Sequence, residues 1–341
     1  MKRTAFYCLA TVLALGWATV GFTQRSAAPI EIRYSTYLPP HHHLVRNVYN
    51  RWAQEVGKRT GGRVKVTVYP SGALGKTPDH YDMAAKGIAD VSSTIVGFTP
   101  GRHPLNSVLE LAFYGDHDKG TRAVNEIFWR DLYQEFTDVK VLFVWNPPQD
   151  IGSNKPIRTL EDLAGLKIRA TGTMQLKMLR ALGGTAVGMP ITAVYSSMER
   201  GVVDGFMLTI NSWPGYKLNE VTKYGLKVGM SCPENVTVMN LKTWNRLPPD
   251  IQKIIEKVNA DAVDWVINSY NGEQETTAAL LKKAGIQVHT LPPAELARWK
   301  QRARPLWDEW LADMKAKGLP GQKVRDDFVQ ILKKYDLDPH L

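Results

Sequence analysis

The sequence predicts an α/β protein built as two units, and three observations carry that prediction. A chain of 341 residues is long enough for about two domains of ordinary size. Short apolar runs with strand character alternate with segments of helical periodicity, the signature of parallel sheets covered by helices. The alternation breaks at Asn146-Pro147-Pro148 and then starts again. With 44% hydrophobic and 22% charged residues, the composition is that of an ordinary globular chain and excludes disordered, collagen-like and low-complexity classes.

The first segment differs from the rest. Lys2 and Arg3 precede a nearly uncharged apolar run from Ala5 to Phe22, followed by the small residues Ser26, Ala27 and Ala28. This pattern predicts a secretory signal peptide over residues 1–28, with cleavage after Ala18, Thr23 or Ala28, and an exported, soluble mature protein. Cys8 falls in the leader and lacks a lipoprotein context, so Cys232 alone would remain and no intrachain disulfide is expected.

Ile30 to Thr36 alternates as a strand, and Leu44, Val45, Val48, Trp52 and Val56 recur at helical spacing until Gly61-Gly62. Val64 to Tyr69 is the next strand. A helix is expected from about Pro78 to Lys86 with Thr77 as its N-cap, followed by a strand from Asp90 to Val96. After the strand Val139 to Trp145 and the proline break, the second unit shows a strand at Leu166 to Ala170, a helix at Thr173 to Leu182 and a strand at Val202 to Leu208. Asn235 to Asn240 reads as a strand that returns the chain to the first unit. Beyond Pro248-Pro249 one helix is expected to about Ala284, with Ile251, Ile254, Val258, Ala262, Trp265, Ser269, Thr276, Leu280 and Ala284 near one stripe. At ~1.5 Å per residue it would extend on the order of 50 Å and reach both units, with Gly272 as the place to kink. A strand at Ile286 to Thr290 and helices over Pro293 to Lys317 and Lys323 to Tyr335 complete the chain.

The formal charge of +10 falls to +7 without Lys2, Arg3 and Arg25, and the basic residues are interspersed with acids. No concentrated basic run or nucleic-acid-binding signature is present, so no nucleic-acid partner is expected. Gly72-Ala73-Leu74-Gly75-Lys76-Thr77 has the context of a phosphate loop, but Pro70 stands where the loop needs its first glycine. Lys76 stays a candidate anion contact at a helix start, beside the plainer reading of a solvent-facing lysine. His41, His42 and His43 are consecutive and without a Cys or carboxylate at ligand spacing, so a polar loop is expected there and neither metal nor cofactor is assigned. No hydrolase, zinc-protease or redox motif appears, and no catalytic residues are assigned.

The most informative position is Arg169, inside the short apolar strand Leu166 to Ala170. A buried guanidinium requires an anion, supplied either by an internal carboxylate or by a ligand.

From YSTYLPPHHHLV through YPSGALG and GIADV to SNKPIRTLEDLAGLKIRA, Pro190, Tyr195, GVVDG and KLNEVTKY, the chain resembles the DctP-like solute-binding proteins of TRAP transporters over essentially its whole mature length. The resemblance implies a two-lobed periplasmic-binding-protein fold with mostly parallel sheets, hinge crossover strands and a long interlobe helix. It places lobe I at 29–146 plus 235–272 and lobe II at 147–234 plus 273–341. It implies periplasmic capture of an organic acid, no enzymatic activity, and delivery to small and large integral membrane subunits. The alternatives are presentation of the ligand to a sensor and an extracytoplasmic enzyme on a similar scaffold. Arg169 matches the family arginine that pairs with the ligand carboxylate. Gln149 falls where sialic-acid-binding relatives carry a second arginine, and Leu208 where they carry asparagine and oxoacid binders tryptophan. Ile191 replaces an aromatic residue, Tyr37 and Ile95 fall at further contact positions, and Ala193 departs from the glutamate often found before Tyr195. Trp213 is a candidate wall for a ring, or a core tryptophan. Leu208 and Ile191 also suit plain core, Tyr37 packing and Gln149 a loop cap. Neutral and aliphatic residues at these positions predict a monocarboxylate with an apolar or aromatic body.

Overall fold

The computed structural model describes residues 28–339. The expected leader, with Cys8, therefore lies outside the described residues.

Strand β1 (Ile30–Thr36) leads through a π turn at Val45–Tyr49 into helix α1 (Asn50–Arg59), which buries Trp52 and Val56 and ends before the positive-φ pair Gly61 and Gly62. β2 (Val64–Tyr69), α2 (His80–Ala85) and β3 (Val91–Ile95) follow. Thr77 is not a helix cap: it opens a 3-10 turn, Thr77–Asp79, with Lys76 in the capping position, because Pro78 restrains the backbone before the α-helix starts at His80. Helix α3 (His117–Ile127), β4 (Val139–Trp145), β5 (Gln149–Ser153), β6 (Lys167–Ala170), α4 (Gly172–Ala181) and β7 (Thr185–Gly188) come next. They are followed by α5 (Val194–Glu199), β8 (Gly205–Met207), β9 (Tyr224–Met230) and β10 (Asn235–Asn240). The last elements are α6 (Leu241–Arg246), α7 (Pro249–Lys283), β11 (Gln287–Thr290), α8 (Pro293–Ala303), α9 (Pro305–Ala316) and α10 (Gly321–Lys334).

These strands form two sheets, ordered β2-β1-β3-β10-β4 and β11-β9-β5-β8-β6-β7. Pairs β1–β2 and β1–β3 are parallel, as are β6–β7, β6–β8 and β9–β11. Each sheet also holds one strand antiparallel to both its neighbours, β10 in the first and β5 in the second. These are the strands entered directly from the crossovers Asn146–Pro148 and Ser231–Glu234. A strand that arrives straight from the other sheet, with no intervening helix to turn it round, has no reason to run parallel. The result is a mixed α/β fold of two lobes joined by two extended crossings.

Helix α7 runs unbroken through Gly272 and packs on α1 and β4 at one end and on β11 and the turn Ile210–Ser212 at the other. Its most buried positions include Ile255, Thr277 and Leu281 in place of the expected Ile254, Thr276 and Leu280, since the helix serves two lobes whose surfaces do not share one straight stripe. The helix expected over Pro293 to Lys317 is two, because Pro305 has no N–H to continue the ladder after Ala303. β8 is shorter than the expected strand Val202 to Leu208. Two apolar clusters, each drawing residues from both sheets, close the lobes against one another. Among the described residues no helix is long and apolar enough to cross a membrane.

Candidate ligand-binding site

Arg169 is the third residue of β6, paired with Phe206 of β8 on one side and Val187 of β7 on the other. Its guanidinium lies near the carboxyl end of parallel strands, the edge at which α/β sheets usually open to ligands. The residue is 2% exposed, yet among the described residues it forms no ion pair. Instead Nε donates to the Met189 carbonyl at 2.9 Å and Nη1 to the Met207 carbonyl at 3.1 Å. Two peptide dipoles fix the plane of the group and solvate part of it, but bring no formal negative charge. Burial pushes the guanidinium down to about 10, so it stays charged near neutral pH.

The group borders an internal cavity walled by both lobes. Tyr37, Leu38, Ile95 and Phe98 come from the first lobe, and Thr171, Gln175, Ile191, Leu208 and Tyr216 from the second. Pro147 and Gln149 come from one crossover, Pro233 and Asn235 from the other, and Tyr270 from α7. Tyr37 meets Phe98 edge-on at 5.6 Å, and Tyr216 meets His42 at 5.8 Å, so aromatic edges and faces define a narrow slot. The cavity has a volume of about 50 Å³ and suits a small guest. Burial raises the phenols of Tyr37 and Tyr216 above the ordinary tyrosine range, so near neutral pH neither supplies the negative charge that Arg169 lacks.

Of the sequence-derived candidates, Arg169, Gln149, Tyr37, Leu208, Ile95 and Ile191 line this one cavity. Lys76 and Trp213 do not. Lys76 is exposed and precedes the turn into α2, and its carbonyl bonds the His80 ring at 3.0 Å. Trp213 is fully buried behind the wall, its Nε1 donating to the Leu208 carbonyl at 3.0 Å and its ring packed edge-on against Phe206.

Sequence reasoning missed Phe98, Tyr216, Tyr270 and Asn235. The available signal for Asn235 was an amide two residues after a proline at the start of the returning strand; for Tyr270 it was a bulky ring beside the buried stripe of the long helix. The three consecutive histidines are not a uniformly polar loop either. His41 is exposed, whereas His42 and His43 are buried and stacked at 4.6 Å, and His43 bonds Ser269 at 2.8 Å. Burial pushes His42 down to about 3, so it is a neutral wall of the cavity. Among the described residues no cluster of His, Cys, Asp and Glu could hold a metal.

Just beyond the first crossover the backbone is held by a buried carboxyl group. Asp150, next to Gln149, accepts hydrogen bonds from the backbone N–H groups of Ile210, Val228 and Gly229 at 3.1–3.4 Å, and burial pushes it up to about 6. Under the cavity the lobes touch backbone to backbone. A Cβ on Gly172, which has φ +75°, would lie 3.2 Å from the Gly97 carbonyl oxygen.

Comparison with known proteins places this geometry in context. Residues 34–313 match the family model DctP, described as bacterial extracellular solute-binding protein, family 7. The C4-dicarboxylate-binding periplasmic protein DctP of Rhodobacter capsulatus is 25% identical over 83% of this chain and 87% of its own length. Two solved structures are each 27% identical. A TRAP solute-binding protein from Rhodoferax ferrireducens, in complex with copurified benzoate, superposes with TM-score 0.85 over 90% of this chain and 98% of its own. A marine metagenome TRAP solute-binding protein specific for aromatic acids, in complex with 3-hydroxybenzoate, superposes with TM-score 0.86 over 91% and 100%.

Proposed function

The chain belongs to family 7 of the bacterial extracellular solute-binding proteins, the DctP group of TRAP transporters, and from that premise we propose that it captures a small aromatic monocarboxylate. Members of this group are receptors for organic acids. The observation that carries the finer reading is Arg169: a buried, charged guanidinium that meets no carboxylate among the described residues, facing a narrow cavity walled by Tyr37, Phe98, Ile95, Ile191 and Leu208. A ligand carboxylate completes the missing charge through the parallel N–H donors that the two carbonyls leave free. The apolar walls then accept a flat hydrocarbon body and leave a polyhydroxylated one with unpaired hydroxyls. That relatives in complex with benzoate and 3-hydroxybenzoate share the fold supports this reading.

Because the cavity has walls from both lobes, a ligand favours the closed state by contacts it makes only there. Opening about Asn146–Pro148 and Ser231–Glu234 releases it to the small and large membrane subunits from the periplasmic side. No bond chemistry is involved.

A thermal-shift panel tests the proposal. Benzoate-type acids are expected to raise the melting temperature, since a ligand at 100 times its Kd adds about 2.7 kcal/mol. A larger shift with sialic-acid-like or other polyhydroxylated acids would sink the ranking.

A further inference from the structure

Resting on the reading of this cavity as an aromatic-acid site, we propose that Gln149 and Asn235 form an acceptor pair that selects acids carrying an O–H or N–H donor away from the carboxylate. The two crossovers repeat one local pattern, a proline two residues before an amide: Pro147-Pro148-Gln149 and Pro233-Glu234-Asn235. In each, the side-chain amide nitrogen donates to the carbonyl of that proline, at 3.1 Å in both cases. A carbonyl only accepts, so the group facing it must be the NH₂, and the amide oxygen is thereby turned the other way.

Neither the Gln149 Oε1 nor the Asn235 Oδ1 has a hydrogen-bond partner among the described residues, and both residues line the cavity while being 4% and 6% exposed. Each amide is the first residue of its strand and is fixed by ladder pairing, Gln149 opposite Met230 and Asn235 opposite Ile95 and Trp145. The ladder fixes the backbone from which each amide projects, and the bond to the proline carbonyl orients the amide itself.

An acceptor pair of this kind discriminates by chemistry. A hydroxyl or N–H donor satisfies an oxygen that an apolar substituent leaves buried and unpaired, and a second carboxylate meets oxygens of its own sign. The arginine thus reads the acid group, and the crossovers read what the rest of the ligand donates.

Isothermal titration of the full protein with benzoate, 3-hydroxybenzoate, 4-hydroxybenzoate, 3-methoxybenzoate and isophthalate, with and without sodium or calcium, tests the pair. One hydroxybenzoate is expected to bind about tenfold more tightly than benzoate, an advantage that the methoxy acid and isophthalate lack. In Gln149→Met and Asn235→Leu the ratio of the benzoate and hydroxybenzoate Kd values should fall toward one. A variant that weakens every acid equally and keeps the ratio would count against the pair. Equal wild-type binding of benzoate and both hydroxybenzoates, or affinity gained from a cation in place of the hydroxyl, overturns the pair's role and leaves the aromatic-acid reading standing. Failure of every aromatic acid to bind overturns that reading and this inference together.

Discussion

Two cavities share the turn after β3 and the first turn of α4 as a common wall, and each holds a buried ionisable side chain that forms no ion pair among the described residues. One is the Arg169 slot. The other, of about 170 Å³, is lined by Gly97, His103, Met174, Lys177, Lys317, Trp310 and the 5% exposed Glu110. Glu110 forms no ion pair among the described residues, and its Oε2 has no hydrogen-bond partner. Burial moves both groups toward neutrality, with opposite consequences. The carboxyl rises to about 8 and becomes neutral at physiological pH, and burial also raises Glu234 in the second crossover. The guanidinium starts so high that a drop to about 10 leaves it charged. A buried acid can discard its charge; a buried arginine keeps it. The same burial therefore produces a neutral carboxyl on one side of α4 and a charged guanidinium, able to pair with an anion, on the other.

The largest effect that would break this comparison is expected from Arg169→Met, which keeps much of the volume and removes the charge. Affinity for a bound acid should fall on the order of a hundredfold or more, since losing one partner of a buried ion pair costs about 3–5 kcal/mol. The unliganded protein should melt no lower than wild type, because an unpaired buried charge is removed. A variant that binds normally, or one that unfolds, would show that Arg169 is structural. Arg169→Lys should have a smaller but clear effect, about tenfold or more by titration, because an ammonium keeps the charge but cannot present two parallel N–H donors to a carboxylate.

The smallest effect lies on the other side of α4. A glutamate ionises near 4.5 when exposed and Glu110 near 8 when folded, so the native state holds the extra proton between those values. Its contribution to stability is full below about 4.5 and is lost as pH rises toward 8. Buried His103 and His117, both pushed down to about 4, act with the opposite sign, losing stability as pH falls below 6.5. Glu110→Gln leaves those histidines in place. Denaturant titrations at several pH values should therefore give the variant a flatter alkaline decline than wild type. Equal slopes would mean that Glu110 ionises normally in the folded protein.

Several elements were legible because they carry their own periodicity. β1, β3, β10 and α7 show clear alternation or a long apolar stripe, and the proline-rich crossover announces the change of lobe. β5, β7, β9 and α3 were not, and the reason differs from the usual weak signal. β5 is wholly buried yet reads Gln-Asp-Ile-Gly-Ser, because Asp150 spends its charge on three backbone N–H groups instead of on water. β7 is short and half-exposed. Such strands exist through their neighbours rather than through their own composition.

The candidate site divides in the same way. An arginine inside an apolar strand is a contradiction visible in the sequence, and it called for an anion before any fold was known. The sequence also dictated the mainly apolar side chains around it. Only the packing shows what meets that guanidinium: peptide carbonyls surround it, and among the described residues no carboxylate pairs with it, which is what favours a guest in the proposed function. Which way the Gln149 and Asn235 amides face, and that Gln149 shares one slot with Tyr37, 112 positions earlier, and Asn235 with Leu208, 27 positions earlier, also belong to the tertiary structure. Periodicity and burial cost are properties of neighbouring residues along the chain. The convergence of two crossovers, two sheets and one long helix depends on contacts between segments far apart in it, and no local pattern encodes those.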